Sequence, residues 1–409
     1  MSKESKDLIV GLDIGTSKIV ALVAEIMPEG KLNVIGIGAQ ESRGLRKGVV
    51  VNIEETVSAI SRVIQEVELM ADAKVKEVYT GIAGSHIKSF NSNGMVAIKD
   101  KEVSAMDVDR VIETARAMPI PADQEILHIL TQEFIIDDQD GIREPIGMSG
   151  FRLEAKVHIV TGAVSAAQNI VKCVRRCGLE VNDLVLQPLA SSYAVLSDDE
   201  KDLGICLVDI GGGTTDIAIW TQGAIRHSSV IPIAGDQITN DIAMALRTPT
   251  REAEEIKIKY GCALSQLADP EEVLDVAGVD DRPSRKLSRR ALADVIQPRV
   301  EELFELVQAE LRRSGLEEVL SSGIVITGGS SVLPGMIELG EEIFHMPVRL
   351  GVPRYRGALA DVVQSPRFAT ACGLLLEAQT QRRRGIKVHQ SGGFKQVLQR
   401  MTSWFEKNF

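Results

Sequence analysis

Two loops of the same design, 196 residues apart, constrain the fold of this chain more than any other feature. Each loop follows an apolar run, places an aspartate near the end of that run and then turns through glycine. A turn without bulky side chains lets backbone N–H groups approach an anion, and the aspartate can hold the anion's cation. The first loop contains Asp13, Gly15, Thr16, Ser17 and Lys18, and the second contains Asp209, Gly211, Gly212, Gly213, Thr214 and Thr215. Two such loops predict a pair of similar domains that clamp one nucleotide from both sides.

The segments around the two loops repeat one order of secondary structure. The first segment predicts three antiparallel strands, a helix opened by Asn52 and a further strand, over residues 8–14, 19–26, 32–39, 53–70 and 76–82. The second segment predicts three strands and a helix, over residues 204–210, 216–221, 224–233 and from 235 onward. This repetition predicts an α/β fold built by internal duplication.

A third glycine motif follows an apolar run within residues 323–335 and contains Gly328, Gly329 and Ser330. We expect the glycine pair to open a helix, whose free N–H groups and bare backbone would suit a flat base or its sugar. Alone, this pattern favours a plain turn between a strand and a helix. Beside two phosphate loops, it predicts a contact with adenosine.

The size and composition indicate a globular protein of two to four domains, with 409 residues, 44% of them hydrophobic and 25% charged. Residues 1–7 are polar, and no run of eighteen apolar residues occurs, so we expect neither a secretory leader nor a membrane-spanning helix. The five cysteines are scattered, and Cys173 and Cys177 have no second pair to complete a metal site. We expect them to be reduced residues on a helix face.

Charge is distributed unevenly along the chain. The formal net charge is −11, which argues against nonspecific binding of nucleic acid by the protein surface as a whole. Residues 379–409 nevertheless contain seven basic residues and one acid, so this tail carries +6 and the rest of the chain −17. We interpret residues 379–392 as a flexible basic linker.

The last residues, 393–409, predict an amphipathic helix. Its apolar positions recur at steps of three and four residues, and basic residues occupy the opposite face. Such a helix suits the interface of an anionic membrane, and the alternative is a last helix packed on the body. The residues expected to contact the membrane are Phe394, Lys395, Val397, Leu398, Arg400, Met401, Trp404, Phe405 and Phe409.

The three glycine motifs resemble, in order, the phosphate-1, phosphate-2 and adenosine motifs of the actin, Hsp70 and sugar-kinase ATPases, which share a ribonuclease-H-like fold. The two connecting helices of that superfamily match residues 187–194 and 368–374, and residues 250–257 resemble a segment that bacterial actins use to contact ribose. The resemblance extends to about residue 378. It implies an actin-like, duplicated ATPase fold.

Within that superfamily, the chain resembles the FtsA family of bacterial cell-division proteins. Actins insert a subdomain after the first three strands, whereas the extra segment of this chain begins at Gly84-Ser85-His86-Ile87. The resemblance implies a relocated subdomain 1C and a terminal membrane-targeting helix. The implied boundaries are 5–83 and 163–197 for subdomain 1A, 84–162 for 1C, 198–233 and 312–378 for 2A, and 234–311 for 2B.

The resemblance also implies an ATP site with Mg²⁺. Asp13 and Asp209 would hold the cation through water. The residues of the first loop from Gly15 to Lys18 would bind the β- and γ-phosphates from one side, and Gly211 to Thr215 from the other. Gly328, Gly329 and Ser330 would contact adenosine, and Glu254 and Lys257 the ribose.

Hydrolysis is a weaker expectation than binding. Several relatives carry glutamate before the proline of the first connecting helix, where this chain has Gln187. Glutamine can orient a water molecule but cannot take its proton. With Asp209 or Asp216 assisting, the resemblance implies slow ATPase activity at most.

The family implies a protein that polymerises, binds the C-terminal peptide of FtsZ and tethers the Z ring to the cytoplasmic face of the inner membrane. It also implies recruitment of later division proteins through subdomain 1C. Arg285, Arg299 and Glu302 of subdomain 2B are the candidate FtsZ-binding residues, although each equally suits a solvated charged surface. The alternatives are a pilus-assembly protein of the PilM type and a small-molecule kinase of the same fold.

Overall fold

The two glycine loops lie at the ends of hairpins in two five-stranded sheets. The computed structural model describes residues 7–278 and 283–383. The strands are β1 Leu8–Ile14, β2 Lys18–Ile26, β3 Leu32–Glu41, β4 Leu45–Arg46, β5 Val49–Val50, β6 Glu77–Ile82, β7 Lys88–Ala97, β8 Gln124–Ile136, β9 Gln139–Ile142, β10 Arg152–Ala163, β11 Glu180–Leu186, β12 Ile205–Ile210, β13 Thr215–Thr221, β14 Ala224–Ile231, β15 Val273–Val276, β16 Arg285–Ser288, β17 Ile324–Thr327 and β18 Val348–Leu350. The helices are α1 Ile53–Ala71, α2 Ala105–Arg116, α3 Val164–Arg176, α4 Gln187–Val195, α5 Asp198–Leu203, α6 Gly235–Leu246, α7 Thr250–Tyr260, α8 Arg289–Ser314, α9 Met336–Phe344, α10 Ala360–Val363 and α11 Ala369–Arg383.

The two large sheets have the same topology, which confirms the predicted duplication. Their strand orders are β3-β2-β1-β6-β11 and β14-β13-β12-β17-β18. In each sheet, three antiparallel strands are followed by two that run parallel to the first. The loops after β1 and β12 therefore occupy equivalent places in the two halves.

The helix predicted over 53–70 is α1, and its start has the expected physical cause. The side chain of Asn52 accepts a hydrogen bond from the backbone N–H of Glu55 at 3.2 Å, which satisfies one of the free donors of the first turn. Val63 and Val67 are buried on its inner face. The helical pattern and its cap at Asn52 therefore predicted this helix correctly.

The glycine pair of the third motif opens a helix, as predicted, but this helix is a short 3₁₀ helix and not an α-helix. Residues Gly329–Val332 form a single 3₁₀ turn, and α9 begins only at Met336. Pro334 explains the delay, because the residue before a proline is driven out of the helical region. Leu333 accordingly has the extended backbone angles φ −62° and ψ 127°.

The extra segment that begins at Gly84 forms a separate sheet with its own core. Its strand order is β7-β10-β8-β9, and α2 packs against β7 and β10. Val111, Phe134 and Leu153 are fully buried between the helix and the sheet. This insertion contacts the second half through β14, where Ser89 and Asn91 donate to backbone carbonyls of Ser228 and Arg226.

The connecting helices α4 and α11 cross closely between the two large sheets. A Cβ at Gly373 of α11 would lie 1.8 Å from the carbonyl oxygen of Ala190 in α4, so the crossing requires glycine there. Among the described residues, no helix is long and apolar enough to cross a membrane.

Helix α11 continues to Arg383, so residues 379–383 are helical instead of the flexible linker predicted from residue 379. Contacts with distant residues explain the extension, because Arg382 forms ion pairs with Asp7 and Glu77. The remainder of the predicted linker, 384–392, and the amphipathic helix predicted at 393–409 lie outside the described residues.

Candidate functional site

The two glycine loops have the same local geometry and touch each other. Each is closed by a backbone hydrogen bond, from Gly15 N–H to Lys18 at 3.0 Å and from Gly211 N–H to Thr214 at 2.9 Å. A Cβ at Gly212 would lie 1.6 Å from the hydroxyl of Ser17. The structure therefore brings the two predicted phosphate loops into direct contact, at a distance that only glycine allows.

A second close approach joins the loops on the Thr16 side. A Cβ at Gly213 would lie 2.6 Å from Thr16 Oγ1 and 3.0 Å from the Cα of Lys47. Thr16 Oγ1 also accepts a hydrogen bond from the backbone N–H of Gly48 at 2.9 Å. The turn between β4 and β5 is thus a third wall of the site, which the sequence did not indicate.

Three buried aspartates lie beneath the loops. Asp13 ends the first strand, and Asp209 pairs directly with Asp216 across β12 and β13. Burial, with a smaller contribution from the nearby Asp209 carboxylate, raises the pKa of Asp13 to about 7 and that of Asp216 to about 8, although Lys18 acts in the opposite direction on Asp13. Burial also raises the pKa of Asp209. Such a cluster of like charges gains stability from a cation.

Each aspartate is held by a neutral donor. Asp13 accepts from the Gln187 side-chain amide at 3.1 Å, Asp209 from the Ser191 hydroxyl at 2.5 Å, and Asp216 from Thr214 at 3.1 Å.

Asp216 Oδ1 has no hydrogen-bond partner among the described residues, although it is buried. Across residues 7–278 and 283–383, no three acidic, histidine or cysteine side chains converge to hold a metal ion by themselves. The carboxylate oxygens present fit Mg²⁺ that keeps several waters and shares its remaining ligands with phosphate.

Lys18 is adjacent to this cluster. Burial lowers its pKa to about 8, although the Asp13 carboxylate acts in the opposite direction. Its ammonium group donates to the carbonyl of Arg367 and lies 5.3 Å from the centre of the Phe368 ring. An ammonium group has three donors, so this contact leaves donors for the predicted phosphate.

Thr215 has a role in the sheet. Its hydroxyl donates to the carbonyl of Ile233 at 2.8 Å, and the residue is fully buried. The backbone just after β14 thus engages the hydroxyl of Thr215.

The predicted adenosine and ribose residues meet at the start of α6. Ser330 donates to the carbonyl of Gly211 at 2.7 Å, and Lys257 donates to the carbonyl of Gly235 at 3.1 Å. Lys257 also pairs with Glu254 at 2.7 Å.

Gly328 and Gly329 differ in their surroundings. A Cβ at Gly328, whose φ is 87°, would lie 2.4 Å from Asp209 Oδ1, whereas a Cβ at Gly329 would have nothing within 4 Å. Gly328 therefore packs on the carboxylate, and Gly329 leaves an open backbone surface.

The candidate FtsZ-binding residues lie on β16, which contains Arg285, and on α8, which contains Arg299 and Glu302. Arg299 forms two hydrogen bonds with Asp241, at 2.5 and 3.1 Å, and a further ion pair with Glu302. Arg285 donates to the carbonyl of Leu246 at the end of α6. Arg299 and Glu302 are thus brought together, and the arginine charge is already balanced by two acids.

Sequence reasoning missed Ser191, Thr370 and Asp236. Asp236 accepts from Ser17 at 3.0 Å, and Thr370 lies 3.0 Å from Ser191, hydroxyl to hydroxyl. Ser191 carried a usable signal, because it follows Gln187 by four residues in a predicted helix and so shares its face.

Solved structures place this chain in the class of actin-like folds. The chain resembles one described as the PilM-PilN type IV pilus biogenesis complex, with a TM-score of 0.65, 17% identity and coverage of 91% of this chain and 98% of the other. It also resembles MreB 5 of Spiroplasma citri bound to AMPPNP, with a TM-score of 0.59, 15% identity and coverage of 94% and 100%. The MamK double helical filament matches with a TM-score of 0.51 and 13% identity, over 91% and 98%.

Sequence comparisons identify the family within this class. The family model described as "Cell division protein FtsA" matches residues 206–373, and the model "SHS2 domain inserted in FTSA" matches residues 84–161. The cell division protein FtsA of Pseudomonas aeruginosa is 59% identical over 100% of both chains. That of Neisseria meningitidis serogroup B is 52% identical over 97% of this chain and 98% of its own, and that of Escherichia coli K12 is 43% identical over 99% of both. The chain belongs to the FtsA family of cell division proteins, which confirms the resemblance found in its motifs.

Proposed function

We propose that this cell-division, actin-like protein binds ATP with Mg²⁺ between its two glycine loops. The observation that carries the proposal is the contact between the loops directly above the buried pair Asp13 and Asp209. Phosphate in this position would meet backbone N–H groups from both halves of the molecule. The AMPPNP-bound relative with the same fold supports ATP as the ligand.

Asp13 and Asp209 are the residues that would hold Mg²⁺ through its water shell. Three features of the site fit a cation. The aspartates are buried, their carboxylates repel one another, and one oxygen of the neighbouring Asp216 has no hydrogen-bond partner within the described part of the chain. When bound, the cation would neutralise charge on the β- and γ-phosphates. Lys18, whose ammonium group also donates to the carbonyl of Arg367, would add a point charge.

The same geometry favours slow hydrolysis. Gln187 already donates its amide to Asp13, and an amide cannot remove a proton from water. Burial raises the pKa of Asp216 to about 8 in the cation-free protein. ATP would therefore serve mainly to fix the angle between the two halves.

The cellular role that we propose is attachment of FtsZ filaments to the cytoplasmic face of the inner membrane. The family membership supports binding of the FtsZ C-terminal peptide near Arg285, Arg299 and Glu302. The amphipathic pattern of residues 393–409 supports reversible contact with anionic lipid. The filament formed by the MamK relative supports self-association, which would multiply weak membrane contacts. The insertion matched over 84–161 would recruit later division proteins.

Co-sedimentation with liposomes tests this role. Wild type, a chain truncated after residue 392 and the variant Arg299→Glu are spun with anionic and neutral vesicles, with and without Mg-ATP and FtsZ. We expect wild type to carry FtsZ into the anionic pellet, the truncated chain to remain with FtsZ in the supernatant, and Arg299→Glu to bind vesicles without FtsZ. Wild-type protein that binds no vesicles under any condition would refute the anchor.

A further inference from the structure

One face of helix α4 contacts the aspartates of both halves. Gln187 Nε2 lies 3.1 Å from Asp13 Oδ1, and Ser191 Oγ lies 2.5 Å from Asp209 Oδ2. Residues four apart share a helix face, so these two donors lie one above the other. A single turn of α4 therefore bridges the two carboxylates expected to face the cation.

Ser191 is tied to a second helix. Its hydroxyl lies 3.0 Å from the hydroxyl of Thr370 in α11, and Thr370 lies 3.4 Å from the same oxygen of Asp209. Ser191 is fully buried, and Thr370 is also buried. A buried hydroxyl is costly unless it is hydrogen-bonded, so this pair and the carboxylate satisfy one another.

These contacts fix one oxygen of Asp209 and leave the other for a different task. Oδ2 accepts from both hydroxyls, whereas Oδ1 lies against the bare backbone of Gly328, where a Cβ would be 2.4 Å away. Mg²⁺ demands near-ideal octahedral geometry, and it keeps several waters, so a carboxylate that accepts hydrogen bonds from those waters serves it best in a fixed orientation. Hydrogen-bond partners behind the carboxylates of a metal site commonly supply this orientation.

We propose that Ser191, with Thr370 as its partner, is a positioning residue that orients the Asp209 carboxylate for the hydrated Mg²⁺ of bound nucleotide. This inference rests on the proposed function, because it assumes the Mg-ATP site between the loops. It predicts that loss of the Ser191 hydroxyl changes how nucleotide affinity depends on Mg²⁺. A residue that only packs at the helix crossing would not have this effect.

The test measures how nucleotide affinity depends on Mg²⁺. A fluorescent ATP analogue is titrated against full-length wild type and Ser191→Ala, in EDTA and over a series of free Mg²⁺ concentrations. We expect Ser191→Ala to require about tenfold more Mg²⁺ to reach half of the Mg²⁺-dependent gain in affinity, which corresponds to about 1.4 kcal/mol. Affinity in EDTA should stay within twofold of wild type.

Neighbouring positions provide matched controls. Ser192 is also fully buried in α4, but it donates to the carbonyl of Pro188 and accepts from Trp220, away from the aspartates. Ser192→Ala should lower the melting temperature without moving the Mg²⁺ midpoint. Ser191→Thr, which keeps a hydroxyl, should have the Mg²⁺ midpoint of wild type. If Ser191→Ala fails to fold, Thr370→Val removes the partner hydroxyl at nearly constant shape, and it should shift the midpoint in the same direction.

The inference and the proposed function fail in different ways. An unchanged Mg²⁺ midpoint in both Ser191→Ala and Thr370→Val, or an equal shift in Ser192→Ala, would overturn the role of Ser191 while leaving the ATP site intact. Wild-type protein that binds no analogue at any Mg²⁺ concentration would overturn both.

Discussion

Replacing Gly212 with alanine should wedge the two loops apart. The new Cβ would lie 1.6 Å from Ser17 Oγ and 2.8 Å from Ser17 Cβ. Rotation of Ser17 can remove the first clash, at the cost of its hydrogen bond to Asp236. The second clash remains, because it is with Cβ, and a normal contact of ~3.5 Å requires the loops to separate by about 0.7 Å.

The expected effect follows from the energy of that separation. Overpacking of this kind costs ~1–3 kcal/mol. If ATP binds to both loops at their present spacing, binding must pull them back together, so the affinity should fall by ~5- to ~150-fold. The backbone of Gly212 is not in the left-handed region, so alanine itself introduces no strain there.

The assay is calorimetric titration of Mg-ATP into wild type and Gly212→Ala, with thermal melts to show that both are folded. Ser17→Gly removes both clashing atoms from the opposite loop, so the double variant Ser17→Gly/Gly212→Ala should bind as well as Ser17→Gly alone. A Gly212→Ala protein with unchanged or tighter binding would refute a clamp in which both loops contact the phosphates.

Three further predictions concern stability and pH. The raised pKa values of Asp13 and Asp216, against ~3.9 for an unfolded aspartate, mean that the folded cation-free protein binds more protons between about pH 4 and pH 7. Its free energy of unfolding should therefore fall as pH rises from 5 to 7.5 in EDTA, and a flat profile in melts would contradict this. Gly373→Ala should destabilise the protein by at least ~3 kcal/mol in urea unfolding, because its Cβ would lie 1.8 Å from the backbone of Ala190. The control Gly340→Ala, whose nearest contact would be 3.3 Å, should cost less than ~1 kcal/mol. His158→Ala should lower the free energy of unfolding by ~2–4 kcal/mol and speed hydrogen exchange in β7 and β10. The imidazole is buried, and both ring nitrogens are hydrogen-bonded, to Asn91 and Ser228. Unchanged exchange would show that these bonds do not secure the insertion.

Local patterns predicted most of the elements that build the site. The apolar runs before the two loops form strands close to the expected bounds, because nearly every residue of both strands is buried in the core. Asn52 identified the start of α1 because capping depends on residues three apart. The duplicated order of strands then placed both loops at equivalent positions, and this needs no knowledge of distant contacts.

The misses have a common physical origin in contacts between distant parts of the chain. Helix α11 extends through Arg382 because that side chain reaches Asp7 and Glu77, more than 300 residues away. The hydroxyls of Ser191 and Thr370 reach Asp209 only once α4 and α11 have crossed.

The central claim is that one ATP is held between two loops above Asp13 and Asp209, and calorimetry tests it most directly. Mg-ATP is titrated into wild type and into the variants Asp13→Asn and Asp209→Asn, each in Mg²⁺ and in EDTA. We predict one site per chain in wild type, with an affinity that falls in EDTA, and a loss of this Mg²⁺ dependence in both variants. Binding that is equally tight in EDTA and in Mg²⁺, or that survives both substitutions unchanged, would contradict the account.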